Sequence, residues 1–439
     1  MSKSDLRIQL LIRLMLTCLW VLPCFADSQA RIVRLSDVQG DVQVDRRTGQ
    51  GYEKAFLNLP ITQGMKIRTG SSGRAALEFE DSSSLRMTTD TVIEIPQLSL
   101  RDSGAKVSEI HLQEGTAYIN FLGRKDDEFS LTFVREKVVL THAAHLRVDV
   151  GDTDAAVAVF KGEVEVASPS GTVQVDKNHT ASFDLLDNDR HQLAKSIEEE
   201  PFDSWDKQQS DYDQLYAAKS QSNYSPYAYG NGDLNYYGSF FNAPGYGMLW
   251  QPYLVGAGWD PFMYGAWAFN PGFGYGWVSG YPWGWTPYHY GSWIYIPQYG
   301  WGWQPGGAWM GWNTFPVVVN APTTFVPPRT PTLPGQRILA VNRGPLPTVL
   351  GRSMGRVEIP NNSAGLGIPR GSIKNLGQLS QTVQQHGFAT ARIPAASGWQ
   401  GGYGSRASAS GWQGSSSSSV AATSSGHASG GHAGGGGHH

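Results

Sequence analysis

Between Tyr237 and Trp303 the chain repeats one aromatic phrase in a fixed register: Tyr237-Gly238 to Trp250, Tyr264-Gly265 to Trp277, and Tyr290-Gly291 to Trp303. Proline recurs at Pro244, Pro271 and Pro297 and glycine at Gly247, Gly274 and Gly300, with starts about 26 residues apart. Self-similarity at such a period marks supersecondary units that bury their apolar faces on one another. Each phrase places two short aromatic runs on either side of a Pro and a Gly, which predicts a β-hairpin, with consecutive hairpins stacking their aromatic faces. The connecting segments repeat too, as Trp259-Asp260-Pro261-Phe262-Met263-Tyr264-Gly265 and Trp285-Thr286-Pro287-Tyr288-His289-Tyr290-Gly291.

This block is chemically extreme. From Leu234 to Pro328 the only charged side chain is Asp260, and His289 is the only other readily ionised group, while eleven of the chain's 15 tryptophans fall between Trp250 and Trp312. Disorder requires low hydrophobicity, so composition argues for a folded domain. Frequent Gly and Pro leave no apolar helix long enough to span a bilayer. A buried ring of roughly 150–250 Å² contributes about 4–6 kcal/mol gross at ~25 cal/mol per Å², against about 1–2 kcal/mol per residue ordered. Most of these rings must therefore be core, and the minority left at the surface is what could stack on a ligand. The rings beside the two ionisable groups define the candidate binding residues: Trp259, Asp260, Tyr264, Trp285, Tyr288, His289 and Trp293.

The first residues read as a leader. Lys3, Arg7 and Arg13 accompany an apolar stretch from Leu10 to Leu22, with small residues at Ala26 and Ala30, the layout of a secretory signal peptide over 1–26. Both cysteines, Cys18 and Cys24, lie inside it. The mature chain is then free of thiol chemistry, disulfides and Cys-ligated zinc, and has no membrane span. A net charge of -3 provides no basic field for nucleic acid.

Residues 31–185 are a series of short β-branched runs, such as Asp41-Val42-Gln43-Val44 and Gly162-Glu163-Val164-Glu165-Val166, which alternate apolar with polar. That pattern predicts an all-β domain, a sandwich or a short β-solenoid, in a mainly β chain. His142 and His145 sit on strand-like sequence that would send them to opposite faces, and Asp149, Asp152 and Asp154 lack a calcium-loop spacing, so no metal site and no cofactor are expected. Residues 189–222 read as one linking amphipathic helix entered at Pro201, with Trp205, Tyr212 and Tyr216 on its apolar side. The aromatic repeats occupy 223–315. A Pro-rich, weakly ordered stretch is expected over 316–397, and a disordered Gly/Ser/His tail over 398–439, where histidines such as His427 and His432 suit at most adventitious metal.

Several of these phrases resemble a known family. Val38-Gln39-Gly40-Asp41-Val42, Gly64-Met65-Lys66-Ile67-Arg68-Thr69-Gly70, Gly73-Arg74-Ala75-Ala76-Leu77 and Phe160-Lys161-Gly162-Glu163-Val164-Glu165-Val166 resemble the FecR-type periplasmic domain, over about a third of the chain. The resemblance implies a periplasmic β-domain and no particular chemistry. In the best-known members that domain relays a signal through a membrane helix to a cytoplasmic anti-sigma segment, for which the residues before Leu10 are too few. The aromatic block, through Pro282-Trp283-Gly284-Trp285-Thr286-Pro287-Tyr288-His289-Tyr290-Gly291, is similar to a module found behind FecR-type domains in environmental bacteria. Those relatives tend to carry a basic residue after Tyr-Gly, where this chain has Ser239, Ala266 and Ser292.

The combined expectation is an exported, non-catalytic envelope protein, periplasmic or at the surface of a Gram-negative-type bacterium, which binds or scaffolds glycan, peptidoglycan or a protein partner. Two alternatives stay open: a carboxylate-dependent cell-wall glycan hydrolase, for which Asp260 is the acid candidate, and an envelope signal sensor without the anti-sigma segment.

Overall fold

The computed structural model describes residues 31–124, 126–216, 229–307, 309–311, 315–344, 350–353 and 356–392, all within one compact unit. The expected leader, the Gly/Ser/His tail, Trp312 and the segment 217–228 lie outside the described residues.

Period-two sequence gives the first half its shape. Along Glu163–Ser168, Val164 and Val166 are buried while Glu163 and Glu165 are exposed, and the neighbouring strands repeat that alternation. Seventeen strands between Val33 and Ala194 form two layers over one aliphatic core that includes Leu35, Val44, Leu77, Ile93, Leu131 and Val157. One strand, Lys106–Phe121, belongs to both layers. Its first part pairs with Val92–Leu100 and Glu128–Phe133, and its second with Ser84–Met87 and Ala144–Val150. It changes layer at Gly115, where φ is 86° and a Cβ would press on the Asp90 carbonyl and Thr91, so only glycine suits the crossing.

The linking segment differs from its expectation. Arg190–Ala194 is the last strand of the sandwich, held by His179–Asp184, and the helix is confined to Asp203–Tyr216. This helix attaches through charge as well as through rings. Neighbouring strands bring Arg86, Tyr118 and Arg147 side by side on the outer face of one sheet, and Asp203, Asp206 and Asp213 descend onto them. Asp203 meets Arg147 at 2.7 Å and accepts the Tyr118 hydroxyl at 2.7 Å, while Arg86 reaches Asp206 at 2.5 Å and Asp213 at 2.8 Å. Burial alone would raise the Asp206 carboxyl, but His145 and Arg86 beside it hold it below the usual carboxylate range.

Three hairpins follow, 238–252, 264–279 and 292–304, one for each aromatic phrase. Their shared signature has a steric cause. In each hairpin the closing tryptophan lies across the opening glycine: a Cβ on Gly238 would enter the Trp250 ring, one on Gly265 the Trp277 ring, and one on Gly291 would crowd Trp303 and the Gln304 carbonyl. Gly238→Ala is accordingly expected to cost about 1–3 kcal/mol through overpacking, and urea unfolding of the variant measures it. An unchanged midpoint would mean that the ring does not hold this position.

The hairpins do not stack in sequence order. The first and third share a sheet through Trp250 opposite Trp303, and the second pairs with Leu339–Asn342. The reason is that the second hairpin faces the sandwich, and its small residues permit a close approach: Ala268 and Val278 complete the aliphatic core of the first half. Asn58 donates to the Ser279 and Tyr281 carbonyls and Arg34 to that of Pro282, which joins the halves across the same seam.

Within the stretch expected to be weakly ordered, residues 356–392 are folded. Arg356–Pro360 pairs with Phe388–Arg392, the helix Leu376–His386 is capped by Asn375, and Ile359, Ile368 and Val383 are buried in the aromatic core. Those scattered apolar residues suffice because the rings of 231–304 supply the other side of their packing.

Candidate binding surface

The structure distributes the seven sequence-selected residues over four places. Trp259, Tyr288 and Trp293 come together around Trp283, with ring centroids 5.7–6.2 Å apart, and all are buried. The Trp259 indole donates to the Tyr281 hydroxyl at 3.0 Å, and the Tyr288 hydroxyl donates to the Pro261 carbonyl. Tyr264 is half-buried between Phe56 and Tyr281. Trp285 and His289 form a separate group, with centroids 4.5 Å apart, and Trp309 stacks on the imidazole, also at 4.5 Å. Four of these side chains, Trp259, Trp285, Tyr288 and Trp293, are therefore core and offer no free ring face, because the hairpins consume them in packing.

Burial and the Arg34 guanidinium push the His289 imidazole down to about 3, so it stays neutral at ordinary pH. A histidine with a depressed folded value contributes stability that is present above its unfolded value near 6.5 and is lost as pH falls towards 3. His289→Phe is expected to reduce the loss of stability between pH 6 and pH 4, read from thermal unfolding against pH. An identical pH profile would show that His289 titrates normally.

Asp260 is not an isolated carboxylate. It accepts from the Phe262 amide at 2.8 Å, closing the turn at Pro261, and pairs with Arg343 at 3.0 Å. Burial raises its carboxyl, and Arg343 and the Phe262 amide act against that rise. Nothing in the sequence ties Arg343 to a residue so far away, so this partner becomes visible only in the fold.

Other rings reach the surface, away from the two ionisable groups. Tyr299 is 45 % exposed, its ring centroid lies 5.5 Å from that of Phe241, and Phe241 and Tyr246 are half-buried. Among the described residues no group of three or more His, Cys, Asp or Glu is placed to hold a metal, and no helix is long and apolar enough to cross a membrane.

A chain with this two-layer domain, an acidic helix clamped on arginines and a ring-filled second half carries a FecR domain: residues 65–165 match the family described as FecR protein. The aromatic half, residues 231–325, matches a second family, described as a family of unknown function (DUF6600). Two crystal structures of a Parabacteroides distasonis protein assigned as an anti-sigma factor, at 1.65 and 2.50 Å resolution, are similar over 30% of this chain, at 20% and 16% identity. This chain spans 59% of theirs, with a TM-score of 0.26 in both cases. No curated protein matches the chain.

Proposed function

We propose that this FecR-domain protein is exported to the envelope of a Gram-negative-type bacterium and acts there without catalysis, holding a wall-associated partner against its aromatic half. The observation that carries this reading is the construction of that half. A block with one carboxylate between Leu234 and Pro328 is joined to the FecR-domain sandwich at its entrance by the buried Arg34–Asp233 pair, yet leaves Phe241, Tyr246 and Tyr299 at its surface. Rings on a rigid, uncharged support suit stacking and shape recognition. Hydrolysis of a glycan by two carboxylates is poorly served here, since Asp260 has no acidic neighbour in the block and is engaged by Arg343.

Cell fractionation with mass spectrometry of the mature N-terminus tests export: the expected result is a chain beginning near Asp27 in the periplasmic or surface fraction, and an intact chain in the cytoplasm would overturn it. Retention of the purified chain on peptidoglycan sacculi, insoluble polysaccharide or envelope extract tests binding. Release of labelled sugar by the unaltered protein, abolished in Asp260→Asn, would overturn the non-catalytic reading.

A further inference from the structure

The sheet shared by the first and third hairpins has a local two-fold character. Trp250 and Trp303 occupy the same position of their phrases and face each other across the sheet. The glutamines that follow obey the same relation: Gln251 donates to the Tyr299 and Trp301 carbonyls at 2.9 and 3.0 Å, and Gln304 donates to the Tyr246 carbonyl at 2.8 Å. One face of this sheet gives Trp250, Trp293 and Trp303 to the aromatic core. The other carries Ala243, Leu249, Ile294 and Ile296, a small buried cluster separate from that core, with Phe241 and Tyr246 packed on it. Tyr299 extends this cover through its contact with Phe241.

The second hairpin is an internal control for this face. Its equivalent positions hold Ala268 in place of Phe241 and Ile294, Val278 in place of Gln251 and Gln304, and Phe273 in place of Tyr246 and Tyr299. That version is small and apolar, and it closes against the sandwich, where Ala268 and Val278 join the aliphatic core. The first and third versions exchange valine for carboxamide and phenylalanine for phenol, the changes expected where the occupant is polar, hydroxyl-rich and wet.

Building on the binding role proposed above, we propose that the face bearing Phe241, Tyr246 and Tyr299 is a binding surface for an uncharged polysaccharide. Phe241 and Tyr246 pack on the aliphatic cluster and Tyr299 extends beyond them, which leaves apolar ring surface that suits the C–H faces of sugar rings. The Gln251 and Gln304 amide groups are anchored through their nitrogens, which leaves their carbonyl oxygens to accept sugar hydroxyls. The strands Gly238–Ala243, Gly247–Pro252, Ser292–Ile296, Gly300–Gln304 and Val317–Val319 contain no ionisable group except the phenol of Tyr295, so a charged polymer finds no complementary charge and a neutral one loses nothing.

Native affinity electrophoresis of the full chain tests this, in gels containing hydroxyethylcellulose, mixed-linkage β-glucan or dextran, with alginate as an anionic control. At least one neutral polymer is expected to retard the protein and alginate is not. Tyr299→Ala and Phe241→Ala should each weaken retardation about tenfold, the scale of one lost ring contact, while Tyr299→Phe, which keeps the ring and loses only the phenol, weakens it less than Tyr299→Ala does. Tyr299 is exposed, so its truncation leaves the fold intact for comparison. Retardation unaffected by either alanine variant would move the site elsewhere and overturn the proposal. So would a concentration-dependent dimer in sedimentation that Tyr299→Ala abolishes, since the face would then belong to a second copy. Retention on envelope extract without retardation by any neutral polymer would overturn this surface and leave the wider binding role standing.

Discussion

Asp233→Ala is expected to destabilise the protein by about 3–5 kcal/mol, because it removes the shared acceptor from two buried guanidinium groups. Asp233 is 2 % exposed and meets Arg34 at 2.7 Å, Arg370 at 2.6 Å and the Tyr212 hydroxyl at 2.8 Å. Arg34 also pairs with Glu78 at 2.9 Å, and Glu78 accepts the Gly230 amide at 3.0 Å. Burial alone would raise the Asp233 carboxyl, but Arg370 and Arg34 hold it below the ordinary carboxylate range. A carboxylate with a depressed folded value contributes stability above its unfolded value, near 3.8, and that contribution is lost as pH falls through the lower folded value. The difference between Asp233→Ala and the parent should therefore be full at neutral pH and shrink in acid.

This carboxylate ties together segments far apart in sequence: the strand Val33–Gln39, the linking helix, the short helix Asn231–Tyr237 and the stretch around Arg370. Hydrogen exchange of Asp233→Ala should accelerate in 231–304 and 356–392 more than in the sandwich core. A uniform increase would show that the cluster stabilises the whole fold without joining its halves. Urea unfolding supplies the magnitude, and a loss below ~1 kcal/mol would mean that water reaches the two arginines.

How far sequence carried the fold depends on the range of the interactions concerned. Alternation at period two is local, so the sandwich strands were legible in phrases such as Gly162-Glu163-Val164-Glu165-Val166. The hairpins were legible because Gly238 and Trp250, Gly265 and Trp277, and Gly291 and Trp303 face each other inside single units. Pairing between units was not legible, because all three phrases carry the same aromatic pattern and the choice of partner rests on the small, apolar Ala268 and Val278 that the second gives to the sandwich core. Arg86 and Arg147, flanked by Leu85, Met87, Leu146 and Val148, follow the rule for solvent-facing positions and are instead buried under a helix about 120 residues away from Arg86. Most rings of the block are core, as the balance of burial against chain entropy requires. The rings nearest to charge are mostly buried, whereas those at the surface sit at or near hairpin turns, where Tyr246 and Tyr299 follow Pro244 and Pro297.

The second large effect is expected at Trp283, which links the hairpins without belonging to any of them. Its ring is fully buried, stacks on Tyr281 at 4.9 Å with planes 5° apart, and touches Trp250 at 4.9 Å and Trp293 at 5.9 Å. Its indole donates to the Ala364 carbonyl at 2.7 Å, so the same side chain holds the folded 356–392 region in place. Trp283→Ala should cost about 3–5 kcal/mol, from a cavity the surrounding rings cannot close and an acceptor left without its donor. Trp283→Phe should recover part of this and leave the Ala364 carbonyl unsatisfied. Near-ultraviolet circular dichroism, dominated by coupled tryptophans, should collapse in the alanine variant while the far-ultraviolet β signal of the sandwich persists. Tyr299→Ala provides the contrast, with a stability change within about 0.5 kcal/mol, as for an ordinary surface position. Comparable losses at Trp283 and Tyr299 would mean that the block has no division between a core and a free ring surface, and the polysaccharide surface would lose its physical basis.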